Sequence, residues 1–354
     1  MRILITGGAG FIGSHLCLAL RQRLPGVEVT ALDNLKRRGS ELALSRLMHG
    51  GVRFLHGDVR APEDIEAAGP VDLLVECSAE PSVHAGYGAS PSYVVQTNLV
   101  GLVNCLDHLR RHGGDLIFLS SSRVYPIAKL RALPLVQAAD RLALEIGAAG
   151  EGWSAAGIGE AFPLLGSRSL YGATKLAAEL MIEEYAALYD LRAAINRCGV
   201  VAGPGQMGKV DQGFVALWVA RHVFGGPLAY CGFDGEGWQV RDVLHVADLA
   251  DLVVEQAGMM GAYAGTTQNV GGGMACSTSL LELTALCCRI SGRHVEIARD
   301  ATTRAADIPY YVSDCGLLAT RSQWQPRRTM VEVVGDTHRW LLDEREWLEP
   351  AFRA

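Results

Sequence analysis

Short apolar runs alternate with amphipathic stretches through the first two hundred residues. Arg2–Thr6, Val27–Leu32, Val52–His56, Leu73–Glu76, Leu116–Ser120 and Ala193–Arg197 have the length and composition of strands. Leu42–Leu47, Asn98–Arg111 and Ala173–Leu188 repeat their apolar positions with helical spacing. Strands that alternate with helices predict an α/β domain with a doubly wound parallel sheet covered on both faces. The pattern changes after Arg197. Gly199, Gly203, Pro204, Gly205 and Gly208 crowd one loop, Gly225-Gly226-Pro227 opens another, and a Gly271-Gly272-Gly273 turn and a Pro309 loop follow. The expected division is therefore a first domain of residues 1–197 plus 242–265 and a smaller C-terminal α/β lobe of residues 198–241 plus 266–354. Val243–Gln256 is read as a helix returning to the first domain. The segment 126–169 has weak periodicity and several glycines. A connection of that length is either an active-site lid or a peripheral decoration.

The turn after the first run is Thr6-Gly7-Gly8-Ala9-Gly10-Phe11-Ile12-Gly13, followed at once by the amphipathic Ser14–Leu20. A lone pattern of this kind is often only a glycine-rich turn. Here strand, turn and helix come in the order a dinucleotide needs. Gly7 permits the sharp turn, Gly10 lets the backbone approach a pyrophosphate, and Gly13 lets the helix pack on the strand, so a Rossmann-type sheet is expected. Phe11 and Ile12 open the helix whose N-terminal amides would face the anion. Asp33 ends the next run, twenty residues beyond Gly13, where a carboxylate accepts both ribose hydroxyls of an adenosine. It would repel a 2′-phosphate, which favours NAD over NADP; Lys36, Arg37 and Arg38 close by pull the other way.

Composition narrows the setting. The 354 residues are 49% hydrophobic and 20% charged, which excludes a disordered chain. The net charge of −6 and the absence of a basic block exclude a nucleic-acid binder. Nine scattered cysteines with no Cys-x-x-Cys spacing speak against a disulfide framework and against a zinc site, so no metal is expected. No apolar stretch reaches membrane-spanning length, so no membrane partner is expected. The first core strand begins at residue 2, leaving no room for a signal peptide, and the cytosol is the expected compartment.

Tyr171 and Lys175 stand one helical turn apart at the start of a helical segment, on one face. An ammonium beside a phenol stabilises the phenolate, which then exchanges a proton with a hydroxyl near neutral pH. Ordinary helix surfaces carry the same pair; the dinucleotide fingerprint favours catalysis. Together with Ser120-Ser121-Ser122 after a strand, Tyr171-Gly172-Ala173-Thr174-Lys175, and Val240-Arg241-Asp242-Val243-Leu244-His245-Val246-x-Asp248, these motifs resemble the extended short-chain dehydrogenase/reductases, the nucleotide-sugar epimerases and dehydratases.

The resemblance implies bound NAD, a nucleotide-sugar substrate and a catalytic Ser/Thr, Tyr and Lys. By position before the Val124-Tyr125 pair these are Ser121, Tyr171 and Lys175, with a register error of one, to Ser120 or Ser122, left open. It also implies cofactor contacts from Gly7, Gly10, Phe11, Ile12, Gly13, Asp33, Asn34, Asp58, Val59, Ser78, Ala79 and Asn98. Substrate contacts are implied for Ser122, Arg123, Gln212, Arg241, Arg304 and Asp307, the arginines Arg241 and Arg304 reaching the diphosphate. Family dehydratases carry an Asp-Glu pair right after the catalytic Ser/Thr; Ser122-Arg123 stand here instead, which argues against elimination. Pro126 after Val124-Tyr125 and Cys77-Ser78-Ala79 also depart from the family pattern. Val210–Trp218 and Gln239–His245 are similar to the CDP-paratose 2-epimerase branch, although Trp238 replaces the more typical lysine. The implied reaction is oxidation to a keto-sugar and re-reduction on the opposite face, with inversion at C2 preferred. A 4-epimerase, a net-redox reductase or dehydrogenase, and a non-catalytic NAD-binding regulator remain alternatives. Phe214, Trp218 and Trp324 either stack on a base or pack in a core. Helices at 98–111 and 170–189 form a dimer face in relatives, so a homodimer is implied.

Overall fold

The computed structural model describes residues 1–209 and 212–353; Val210 and Asp211 of the segment likened to the 2-epimerase branch, and the last residue, 354, lie outside the described residues. Seven parallel strands form the main sheet: β1 (Arg2–Thr6), β2 (Glu28–Asp33), β3 (Arg53–His56), β4 (Leu73–Glu76), β5 (Asp115–Ser121), β6 (Ala193–Cys198) and β7 (Thr266–Val270). Their spatial order is β7-β6-β5-β4-β1-β2-β3. The order reverses between β1 and β4, and a crevice opens at the carboxyl ends of strands at that switch point.

Alternation along β1 shows how the sequence builds the layers. Ile3 and Ile5 join the core under helices Phe11–Arg23 and Val246–Gly258, whereas Leu4 joins the core under helices Gly101–His112 and Leu170–Tyr189. Successive side chains of a strand point to opposite faces, so a fully apolar run is buried twice. The smaller lobe has its own core, in which helix Phe214–Phe224 meets helices Leu280–Ser291 and Met330–Asp343 through Val215, Trp218, Val219, Leu283, Leu286, Val334 and Leu341. Trp218 stacks on Tyr230 and donates its indole N–H to Thr284, Phe214 packs against this core, and Trp324 donates to the Asp248 carbonyl inside the first core. All three aromatics are core residues.

Three expectations are corrected. Thr266–Val270, assigned to the smaller lobe, is β7 and pairs in parallel with β6. It carries no apolar signal because its side chains answer a polar network: Gln268 donates to Asn196 and Asn269 to the Ile158 carbonyl. Val243–Gln256 is not one helix. Val240–His245 is a strand, and the helix starts at Val246, where the His245 ring accepts the Ala247 amide as its cap. Asn98 does not open a helix; residues Gln96–Val100 form a π turn before Gly101, a departure from α geometry that often marks functional positions.

The segment 126–169 folds as a short helix, Ile127–Arg131, and two small antiparallel hairpins. It is strapped to the smaller lobe: the Leu142 amide donates to Trp238 and the Ile158 amide to Val312, while Leu130, Ile158 and Phe162 pack with Tyr310, Tyr311 and Val312. All nine cysteines are free, and no helix among the described residues is long and apolar enough to cross a membrane.

Candidate active site

A cavity of about 1080 Å³ opens at the carboxyl ends of β1 and β2. Its wall includes Gly7, Gly10, Phe11, Ile12, Gly13, Asp33, Asn34, Asp58, Val59, Ser78 and Ala79. Helix Phe11–Arg23 begins there with no side-chain cap on its first amides, which leaves those N–H groups to an incoming anion. Gly13 is required by contact: a Cβ there would lie 2.1 Å from the Gly7 carbonyl oxygen, so any side chain would push helix from turn. The Asp33 carboxylate accepts the Ala9 and Leu35 amides at 3.1 and 2.8 Å. Burial pushes its carboxyl up, and these amides oppose the shift. Asp58 is held well below the usual carboxylate range by hydrogen bonds from Arg60 and, despite some burial, from Asn34 at 2.8 Å.

Lys36, Arg37 and Arg38 line the same cavity, and two of them have partners within the chain. The Lys36 ammonium lies 3.4 Å from the centre of the Tyr93 ring, and Arg37 donates to Gln212. Gln212, expected at the substrate, thus lines the cofactor cavity and clasps the loop after β2. Asn98 does not line the cavity, which is walled by Thr97 at that point. Asn98 is buried behind it, joined to Glu80 through the Glu80 amide (2.8 Å) and carbonyl (3.2 Å), and to Thr174 at 3.2 Å. The cavity's size, its uncapped helix amides and the Asp33 carboxylate at the end of β2 fit a dinucleotide.

The second group of residues gathers at the end of β5. Helix Leu170–Tyr189 is capped by Ser169, whose hydroxyl accepts the Gly172 amide at 3.2 Å. Gly172 lies against the β5 turn so closely that a Cβ would sit 2.1 Å from the Arg123 carbonyl oxygen. That contact fixes Tyr171 beside the residues after Ser121. Lys175 is buried and its ammonium donates to the Leu119 carbonyl at 2.9 Å. Ser120 and Ser121 point to opposite sides, as adjacent strand residues must. Ser120 donates to buried Glu179, whereas Ser121 Oγ accepts the Arg123 amide at 3.1 Å. Ser120 is therefore committed to the scaffold. Ser122 is buried in the turn.

A cationic cluster adjoins this turn. Arg123 donates to the Ala306 carbonyl at 3.0 Å, and Arg241 donates to the Val240 and Ile308 carbonyls at 2.7 and 2.6 Å. Burial and then the neighbouring Arg123 charge push the Arg241 guanidinium down to about 9. Burial likewise lowers Arg123, opposed by Asp307 and Tyr171, which face it. Asp307 accepts the Arg304 amide at 3.3 Å and lies 3.8 Å from the His84 ring. Two cations that burial destabilises, with Asp307 as the carboxylate acting on both, can seat a further anion.

Sequence reasoning missed three residues here. Arg131 holds the 304–307 loop through the carbonyls of Arg304, Ala305 and Asp307, and His84 faces that loop; neither has a sequence signal. Glu76 ends β4 and lies 3.7 Å from the Lys175 ammonium. It had one: an acid closing the apolar Leu73-Leu74-Val75.

Comparison with known proteins agrees with this geometry. The profile of the NAD dependent epimerase/dehydratase family matches residues 3–271. The chain is 28% identical to a CDP-paratose 2-epimerase of Salmonella typhi, covering 96% of this chain and 99% of that protein. It is 28% identical to a dTDP-glucose 4,6-dehydratase of Streptomyces niveus, covering 99% and 95%. A crystal structure of Thermus thermophilus UDP-glucose 4-epimerase in complex with NAD matches with a TM-score of 0.76 and 27% identity, over 100% of this chain and 99% of that one. The chain belongs to the NAD-dependent epimerase/dehydratase family, and NAD is its cofactor.

Proposed function

We propose that the protein is a nucleotide-sugar epimerase that inverts one sugar carbon, C2 preferred, by oxidation to a keto-sugar and reduction from the opposite face. The observation that carries this reading is the β5 turn. Ser121, Tyr171 and Lys175 are gathered around it, while the two positions after Ser121 hold Ser122 and Arg123 rather than an acid and a base for elimination. NAD supplies the hydride acceptor and donor. Tyr171, as phenolate, takes the sugar hydroxyl proton and returns it, Ser121 hydrogen-bonds the same oxygen, and Lys175 holds the phenolate and the nicotinamide ribose. Arg123, Arg241 and Arg304 bind the diphosphate side of the substrate, which keeps a keto-sugar from leaving while it turns over.

Incubation of the NAD-loaded protein with CDP-, UDP- and dTDP-hexoses deuterated at C2 or C4 tests the reading by NMR. The expected product is the epimer with its deuterium kept, no net NADH, and kcat lowered about 10²–10⁴-fold in Tyr171→Phe. Stoichiometric consumption of a reduced nicotinamide, or a 4-keto-6-deoxy product, overturns it. A homodimer is part of the proposal: Leu180, Leu188 and Tyr189 stay exposed along helix Leu170–Tyr189, while Leu176 packs inward. Sedimentation that gives only monomer at micromolar concentration removes it.

A further inference from the structure

Glu76 is 1% exposed at the carboxyl end of β4, in register with Thr6 of β1 and Phe118 of β5. Its Oε1 accepts the Ser78 hydroxyl at 2.7 Å, and its Oε2 has no hydrogen-bond partner. The Lys175 ammonium stands 3.7 Å from Oε2, an ion-pair distance rather than a hydrogen bond, and is itself 2% exposed above the Phe118 ring. A buried carboxylate with an unsatisfied oxygen is costly, and the preceding Leu73, Leu74 and Val75 show what a purely structural strand would place there. Besides Tyr171, one turn before Lys175, the titratable groups that bear on the pair are the thiols of Cys77 after β4, Cys105 of helix Gly101–His112 and Cys198 of β6. Burial pushes all three up, Cys198 to about 12, so they carry no charge in the working range; Asp242 acts only beyond Cys198.

We propose that Glu76 is a positioning residue for the reaction: its carboxylate keeps the buried Lys175 charged and in place and, through Ser78, ties that lysine to the wall of the cofactor cavity. The proposal rests on the epimerase reading for the task of Lys175, one turn from Tyr171, but not for the pair itself. Removing the countercharge takes from the buried ammonium the carboxylate at ion-pair distance and leaves it the Leu119 carbonyl and the Phe118 ring, so its charged form is less favoured than in wild type.

The test measures kcat for the sugar and, on the same proteins without sugar, NAD binding by calorimetry, each from about pH 6 to pH 10. In Glu76→Gln the alkaline limb of both profiles is expected to move down by about one pH unit or more. At the optimum kcat falls about tenfold with KM for the sugar nearly unchanged, and Glu76→Asp recovers the limb. An NAD-binding limb that coincides with wild type overturns the proposal even if kcat falls evenly at every pH, the mark of a structural role. If no sugar turns over, the NAD profile alone decides; if sugar turns over and that profile is unmoved, the epimerase reading stands and the positioning role falls. Should Glu76→Gln fail to fold, the double variant Glu76→Gln/Lys175→Gln, which removes both charges, is expected to fold; its failure also overturns the proposal.

Discussion

Helix Leu170–Tyr189 holds two buried charge pairs that are one turn apart and differently made. Glu179 receives Arg197 on both oxygens, at 3.1, 3.1 and 2.7 Å, and the Ser120 hydroxyl as well. Arg197 also reaches the Tyr125 hydroxyl, which donates to Asn269 of β7. The network stitches β5, β6 and β7 to the helix, and its charges are met by fixed partners. Lys175 and Glu76 sit at 3.7 Å with a carboxylate oxygen left over. Both pairs are equally buried, so burial does not distinguish them; the completeness of hydrogen bonding does. A saturated network has nothing left to offer a ligand and serves as scaffold. The pair with slack sits behind Ser78, at the wall of the cofactor cavity.

The comparison breaks most visibly at Glu179. Glu179→Gln leaves the Arg197 guanidinium buried without its countercharge and should cost about 3–5 kcal/mol of stability, read as a shift of the urea midpoint at constant slope. The kcat of the molecules that remain folded should change by less than about threefold, because the network touches neither Tyr171 nor the cofactor cavity. A cost below about 1 kcal/mol would mean that the saturated pair is not what holds β6 to the helix.

How far the sequence carried this picture follows the same line. Arg2–Thr6 and Leu73–Glu76 were legible to the residue, because a strand buried on both faces writes a continuous apolar run. The glycines at 7, 10 and 13 were legible because backbone contacts there exclude any side chain. β7 was not, since Gln268 and Asn269 are buried through hydrogen bonds that no periodicity encodes. The helix expected from Val243 was misread because Val240–His245 has β-branched residues that suit a strand as well as a helix start. In the site, Tyr171 and Lys175 carry a spacing signal, but the cluster of Arg123, Arg241 and Asp307 comes from three distant segments, and only the fold brings it together. Glu76 stands in the sequence as an acid closing an apolar run, but its pairing with Lys175 does not show there.

Asp242 sharpens the comparison with a smaller effect. It is fully buried next to Arg241 on strand Val240–His245, and its Oδ1 has no hydrogen-bond partner. Burial pushes its carboxyl up to about 6, only partly opposed by Ser313 and the Gly273 amide. A carboxylate whose folded value is raised binds a proton in the native state that the unfolded chain has already lost. Its contribution to stability is therefore full below the unfolded value near 4 and disappears as pH rises through about 6. Asp242→Asn has the same shape and no proton to lose. The stability of wild type relative to this variant should fall by about 2–3 kcal/mol between roughly pH 4 and pH 7 and stay level above it, read from urea midpoints at each pH. A flat difference for Asp242→Asn would show that Asp242 is as well satisfied as Glu179, and the contrast between slack near the site and saturation in the scaffold would then rest on Glu76 alone.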